Sequence, residues 1–203
     1  GSVECEIVIN AAGYYAKRVS DWFIPFGGRS IPMSVMSHQY LLTEEIPELQ
    51  ERSEKQNSKL PLIRDVDSSY YLRQEKNGLN LGPYERNCRA HWTTSDDPMP
   101  EDFSFQLYND DLERLEWYIE DACKRVPLLG SVGIKRVVNG TIPYAPDGLP
   151  LIGQMPGVKN AFEACVFTFG IVQGGGAGKL LADIIVEGKP ETDSWAVDPR
   201  RYT

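Results

Sequence analysis

Gly174-Gly175-Gly176-Ala177-Gly178, running into Lys179-Leu180-Leu181, is the stretch of this sequence best suited to hold a bound group. Bare glycine backbone lets N–H groups come close to a ligand, and where such a run opens a helix the dipole favours partial negative charge there. Two motifs precede it: Pro146-Asp147-Gly148-Leu149-Pro150-Leu151-Ile152-Gly153, and Phe169-Gly170 after an apolar strand. The run is not a triphosphate-binding loop, because Gly-Ala-Gly-Lys-Leu lacks the Ser/Thr that would hold magnesium and Gln173 stands at the first glycine position. A glycine-lined helix packed tightly on a sheet fits the same residues equally well. No Gly-x-Gly-x-x-Gly follows an early strand, so the usual dinucleotide-binding start is missing and the chain reads as a piece of a larger cofactor enzyme.

Proton-handling candidates are few. The chain has two histidines. His38 sits between Ser37 and Gln39 in a strand-like run, where a histidine is more often a hydrogen-bonded structural residue than a catalyst. His91, in Cys88-Arg89-Ala90-His91-Trp92, reads as a surface-loop residue. Tyr70 and Tyr71 straddle the two faces of a strand, so one can point into a cavity while the other packs, although tyrosine in a sheet is normally core. Cys5, Cys88, Cys123 and Cys165 are scattered, with no Cys-x-x-Cys pair or companion histidine, which predicts buried free thiols and no metal site.

The elements that must position these residues follow from pattern. Cys5 to Asn10 is a short strand, Ala11-Ala12-Gly13 a small-residue turn, and Tyr14 to Val19 a helix that stops near Pro25-Phe26-Gly27-Gly28; this order belongs at the edge of a parallel sheet. Ile31 to Thr43 predicts a strand covered on both sides, with Met36, His38, Tyr40 and Leu42 on one face. Glu44 to Lys59 predicts a mobile surface excursion. Ser69–Glu75 and Leu79–Pro83 flank Asn77-Gly78, the pair suited to a type I′ hairpin turn. Asp110 to Val126 carries apolar residues at helical spacing, with Asp110 as cap and Pro127 beyond the end. Ile134–Ile142 and Ala161–Phe167 read as strands, and Gly174–Val186 as a helix ended by Gly188 and Pro190.

With 203 residues, 41% of them apolar, one good core or two small ones can be buried. The net charge of −8 and the lack of a basic block argue against nucleic acid or an anionic membrane as partner. No apolar run approaches the ~20 residues of a membrane helix, and no basic-then-apolar leader is present, so the default expectation is a soluble, intracellular protein with small-molecule or protein partners. Gly1-Ser2 looks like an expression scar ahead of Val3.

Six motifs in order carry a resemblance: Asn10-Ala11-Ala12-Gly13, Ser37-His38-Gln39-Tyr40-Leu41-Leu42-Thr43, Ser69-Tyr70-Tyr71-Leu72-Arg73-Gln74-Glu75, Val138-Asn139-Gly140, Pro146-Asp147-Gly148-Leu149-Pro150 and Gly174-Gly175-Gly176-Ala177-Gly178-Lys179. Together they resemble the dimethylglycine and sarcosine dehydrogenase branch of the glycine-oxidase/D-amino-acid-oxidase family of FAD enzymes. The resemblance implies an α/β fold: part of an FAD-binding doubly wound domain, interrupted by an α+β substrate domain with a mixed, largely antiparallel sheet. The implied segments are 3–28 and 141–190 for the FAD domain, 29–140 for the substrate domain, and 191–203 for a C-terminal linker. It also implies that the chain is cut at both ends, lacking the N-terminal FAD fingerprint, the histidine that links covalently to FAD, and a folate-binding module. On that reading this piece alone is inactive and does not retain FAD.

The implied chemistry is oxidation of a small N-methyl amine with a hydride equivalent passing to FAD; the electron acceptor is open. Matching positions put His38 in the site as the group that binds and helps deprotonate the amine, and Tyr71 as its hydrogen-bonding and orienting partner. Ala12 and Gly13 would approach the phosphate–ribose region of FAD, Gly148, Gly170, Gly174, Gly175 and Gly176 the rest of the cofactor, and no metal is implied. Two departures stand out: Val166-Phe167 where relatives often have Gly-Phe, and Gln173 near where related oxidases place a basic residue for the substrate carboxylate. A non-catalytic relative, resembling the regulatory subunit of pyruvate dehydrogenase phosphatase, is the alternative. The expected compartment is a bacterial cytoplasm or the mitochondrial matrix.

Overall fold

The computed structural model describes residues 1–203. In chain order its elements are β1 (Val8–Asn10), α1 (Ala16–Asp21), β2 (Ser34–Thr43), α2 (Pro47–Gln56), β3 (Ile63–Asp65), β4 (Tyr70–Glu75), β5 (Gly78–Pro83), β6 (Ala90–His91), α3 (Leu112–Arg125), β7 (Ile134–Tyr144), β8 (Leu151–Gln154), β9 (Ala161–Cys165) and α4 (Gly170–Glu187). They fall into two units, Gly1–Met36 with Ala90–Pro98 and Ile142–Thr203, and Ser37–Arg89 with Met99–Thr141. None of the helices is long and apolar enough to cross a membrane.

In the first unit a three-stranded sheet runs β1-β9-β8, with β1 parallel to β9 and β8 antiparallel to it. The register sets Asn10 opposite Glu163. Asn10 is buried at the end of β1, where its Nδ2 donates to the Ala16 carbonyl at 2.8 Å and its Oδ1 accepts from the Ala12 N–H at 3.3 Å. One side chain therefore ties the strand end to the start of α1. Alternation along β9 sends Ala161, Glu163 and Cys165 inward on one face, while Phe162 and Ala164 join Ile152, Ala177 and Leu181 on the other. His91 lies in β6 opposite Val35, half-buried, rather than in a surface loop. Of the cysteines, Cys165 is buried as expected, whereas Cys5 is exposed because it precedes the first strand.

Glu163 is a carboxylic acid in an apolar layer, 1% exposed, and its Oε1 has no hydrogen-bond partner. Burial outweighs the opposing charge of Arg29 and pushes its pKa up to about 7. The native state therefore holds a proton that the unfolded chain releases near the ordinary value of 4.5, and the stability this contributes is full below 4.5 and lost as pH climbs through about 7. Glu163→Gln should remove that dependence: in urea unfolding series at several pH values, the parent is expected to lose on the order of 3 kcal/mol relative to the variant between pH 4.5 and 8. Parallel curves would refute it.

The second unit is built on antiparallel pairing in the order β3-β4-β5-β2, with β7 also pairing β2. The hairpin of β4 and β5 forms as expected, from Tyr70 opposite Pro83 to Glu75 opposite Gly78. Its turn is different. Lys76 and Asn77 are the loop residues, and Lys76, not Asn77 or Gly78, takes positive φ at 54°. Gly78 is instead a close-approach glycine, since an added Cβ would meet the Thr43 and Glu44 carbonyls at 3.0 Å.

Leu115, Tyr118 and Ala122 of α3 pack on Leu41, Leu72 and Leu81 of the sheet, each fully buried apolar side chain being worth roughly 1.5–3 kcal/mol. Asp111 rather than Asp110 takes the N-cap position, its side chain making no capping hydrogen bond, and the Asp111 N–H donates to Gln39 Oε1 at 2.9 Å. The Glu44–Lys59 segment is not a mobile excursion, because Pro47–Gln56 forms α2. Buried Ile46 and Leu49 anchor it, proline suits the first turn, and Glu51 pairs with Lys55 along its exposed side.

Candidate functional site

His38 and Tyr71, the two predicted proton-handling residues, both lie in the second unit on the sheet face away from α3. Along β2 the residues Ser37, Gln39, Leu41 and Thr43 are buried, leaving His38 and Tyr40 half-buried on the other side. Along β4, Tyr70 and Leu72 are buried and Tyr71 points with His38 and Tyr40. Gly82 makes room for Tyr71, whose ring lies so close that a Cβ there would fall 2.0 Å from its Cζ.

Tyr84, which sequence reasoning missed, completes the face. Its ring centroid is 6.0 Å from that of His38 and 6.3 Å, edge-on, from that of Tyr71, and the Arg64 guanidinium sits 5.0 Å from its centroid. The signal was available: Gly82 and Tyr84 continue the period of two past Pro83. His38 and Tyr71 thus share one wall through Tyr84, rather than through a hydrogen bond to each other. Burial first, and then the charge of Arg114, lower the His38 pKa below its ordinary 6.5, so the neutral imidazole is favoured. Burial raises the Tyr71 hydroxyl above its ordinary 10, keeping it a donor.

The predicted ligand-holding glycines lie in the first unit. The run Gly174–Gly176 does not open its helix, because α4 begins at Gly170. The leading N–H groups without helical partners therefore belong to Gly170, Ile171 and Val172, while Gln173 N–H already donates to the Phe169 carbonyl at 3.1 Å. Tight packing does not explain the glycines either: an added Cβ at Gly174, Gly175, Gly176 or Gly178 would meet nothing within 4 Å. Ile171 and Val172 beside them are exposed. Open space around bare helix backbone is what the close approach of a flat group requires, and these residues fit one.

Gly13, at φ +58°, sits in the turn held by Asn10, next to Ala12, whose carbonyl accepts the Tyr15 N–H at 3.0 Å. Gly148 turns at φ +73° beside Asp147, whose Oδ1 accepts the Leu149 N–H at 3.0 Å. The Arg201 guanidinium donates to Asp147 at 2.7 Å and holds that carboxyl well below the usual carboxylate range. This clasp fixes the Asp147–Leu149 turn. Gln173 and Gly176 line a cavity of about 310 Å³ with Leu149, Pro150 and Ile152, and the Gln173 Oε1 has no hydrogen-bond partner. At the junction between β9 and α4, Val166 is fully buried at φ +60°, a conformation that opposes a β-branched side chain. No group of His, Cys, Asp and Glu side chains is arranged to hold a metal ion.

A family model described as "FAD dependent oxidoreductase" (DAO) matches residues 1–184. Among curated proteins the chain is 39% identical over 206 residues to the mitochondrial dimethylglycine dehydrogenase of Mus musculus, with 100% of this chain and 23% of that protein covered. It is 36% identical over 203 residues to the mitochondrial sarcosine dehydrogenase of the same species, covering 100% and 20%. The mitochondrial pyruvate dehydrogenase phosphatase regulatory subunit of Mus musculus is 30% identical over 205 residues, covering 100% and 22%. The chain therefore spans less than a quarter of the length of these relatives. Among solved structures, L-proline dehydrogenase from P. horikoshii superposes with a TM-score of 0.71 at 22% identity, covering 97% of this chain and 46% of that one. Glycine oxidase from Geobacillus kaustophilus gives 0.69 at 18% identity, covering 100% and 47%. The fold is shared.

Proposed function

We propose, from the premise that this chain belongs to the DAO family of FAD-dependent oxidoreductases, that it is part of an enzyme oxidising an N-methyl amine of the dimethylglycine or sarcosine type. The observation that carries this reading is His38, a half-buried imidazole kept neutral on one wall with three tyrosines. The names and identities of the two dehydrogenases support the substrate class. Ala12, Gly13, Gly148, Gly170 and Gly174–Gly176 are the residues that would hold FAD, which when bound supplies a two-electron acceptor for the hydride lost from the substrate carbon.

The chain's own part is to prepare the amine. An alkylammonium at neutral pH has no lone pair to support loss of hydride, so its proton must leave first. Neutral His38 accepts it on a ring nitrogen, and the Glu85 carboxylate stands 4.0 Å from Nδ1. Tyr71, held protonated, donates to a substrate acceptor and orients it. We keep the functional segments 3–28, 29–140, 141–190 and 191–203, and of the two compartments expected the relatives' names favour the mitochondrial matrix.

Anaerobic titration of the complete protein with dimethylglycine, sarcosine and proline betaine, following flavin absorbance, tests the reading. Bleaching by dimethylglycine or sarcosine is the expected result. Flavin that stays oxidised with all three would overturn it and favour a binding role like that in the name of the regulatory-subunit relative.

A further inference from the structure

Glu85 follows Tyr84 directly and is not part of the wall. Its side chain is 1% exposed, and its two oxygens face different partners. Oε1 accepts the Gln39 N–H at 2.7 Å and lies 4.0 Å from His38 Nδ1, while Oε2 lies 3.3 Å from Arg114 Nη1. Arg114, 8% exposed, also places Nε 3.1 Å from Asp111, which in turn pairs with Arg89 at 3.0 Å. Two carboxylates and two guanidiniums thus balance when His38 is neutral. Polar positioning is tight: Gln39 Nε2 donates to the Asp111 carbonyl at 3.0 Å and Arg114 Nη1 to Ser37 Oγ at 3.1 Å.

A buried carboxylate is expensive to keep, and breaking a buried pair leaves an uncompensated charge. Packing alone would be served by an uncharged side chain. What the charge adds appears only when His38 takes a proton, because a buried imidazolium beside Arg114 needs a nearby anion. We propose that Glu85 is the positioning residue for His38: standing 4.0 Å from Nδ1, its carboxylate stabilises the imidazolium formed when the amine gives up its proton, with Arg114 fixing the carboxylate from the other side. The titratable groups around His38 are Tyr84 and, through it, Tyr71 on its own sheet face, and Glu85 after β5, with Arg114 of α3, Asp111 and Arg89 behind Glu85.

This inference rests on the amine-oxidising reading only in the step that loads the proton. The charge relation can be measured without turnover. In the complete protein with ¹³C-labelled histidine, the His38 resonance is identified by its loss in His38→Gln and titrated in the parent and in Glu85→Gln. Removing the anion leaves Arg114 unopposed, so the His38 pKa should fall by about one unit in Glu85→Gln. Arg114→Gln should move it the opposite way, and decides the matter if Glu85→Gln does not fold. A titration unmoved by the substitution overturns the proposal.

In flavin reduction by dimethylglycine, the acid limb of the pH profile should move down with the same sign in Glu85→Gln, and the plateau should drop about tenfold because the base is weaker. A fixed limb with a lowered plateau would mean that Glu85 is merely structural. If His38→Gln reduces as fast as the parent while the His38 titration still follows Glu85, the amine-base reading fails and the charge pairing stands.

Discussion

Replacing His38 with glutamine in the complete protein is expected to slow flavin reduction by dimethylglycine about 100- to 1000-fold, within the range that general-base groups contribute. Glutamine keeps a polar side chain of similar reach but cannot take a proton, so the loss isolates the base from the shape of the wall. His38 belongs to the second unit and the ligand-fitting glycines to the first. The flavin spectrum and its affinity should therefore be little changed. Stopped-flow reduction under anaerobic conditions gives the rate, and a flavin titration gives the affinity. Equal reduction rates in variant and parent would remove His38 from the mechanism.

The second large effect concerns the open glycines of α4 and has two arms of opposite sign. Glycine inside a helix costs about 0.5–1 kcal/mol relative to alanine, and an added methyl at Gly174, Gly175 or Gly176 meets nothing within 4 Å. The triple variant Gly174→Ala, Gly175→Ala, Gly176→Ala should therefore stabilise the cofactor-free protein by about 2 kcal/mol in urea unfolding. The same three methyls would stand where a flat cofactor approaches, so FAD affinity should fall at least tenfold, about 1.4 kcal/mol or more. Stabilisation with undiminished affinity would show that the face serves something other than FAD. Loss of stability would show that neighbours already press on it.

What could be read in advance depended on whether local chemistry or distant contact decides the outcome. The hairpin was legible because period-two alternation from Tyr70 to Glu75 and from Leu79 to Pro83 is a strong local pattern. Its turn was not, since Asn77-Gly78 has the residues of a type I′ turn, yet Gly78 is spent on clearance from Thr43 and Glu44, remote in sequence. Helix α2 escaped notice because only Ile46 and Leu49 anchor it, too few for periodicity to register in a charged segment. The start of α4 was misplaced because glycines look like helix breakers, whereas Ile171 and Val172 ahead of them already lie in the helix.

The candidate site divides the same way. His38 and Tyr71 were named from motif resemblance, and simple alternation put them on one sheet face. Tyr84 and Glu85 follow a proline at the strand end, where a reader stops counting. The buried network through Gln39, Arg114 and Asp111 joins β2 to α3 across 72 residues of sequence, and no local signal announces it.

Val166 carries a consequence for directed evolution. A valine codon becomes a glycine codon by one change at its second base, so Val166→Gly will occur in any random library built on this gene. That replacement relaxes the left-handed backbone at the junction but empties a fully buried isopropyl from its cluster with Ala145, Leu151 and Cys165. Selection for turnover and selection for thermal robustness would then sort the two alleles differently, which makes this junction a compact place to observe conformational ease and interior packing competing within one codon.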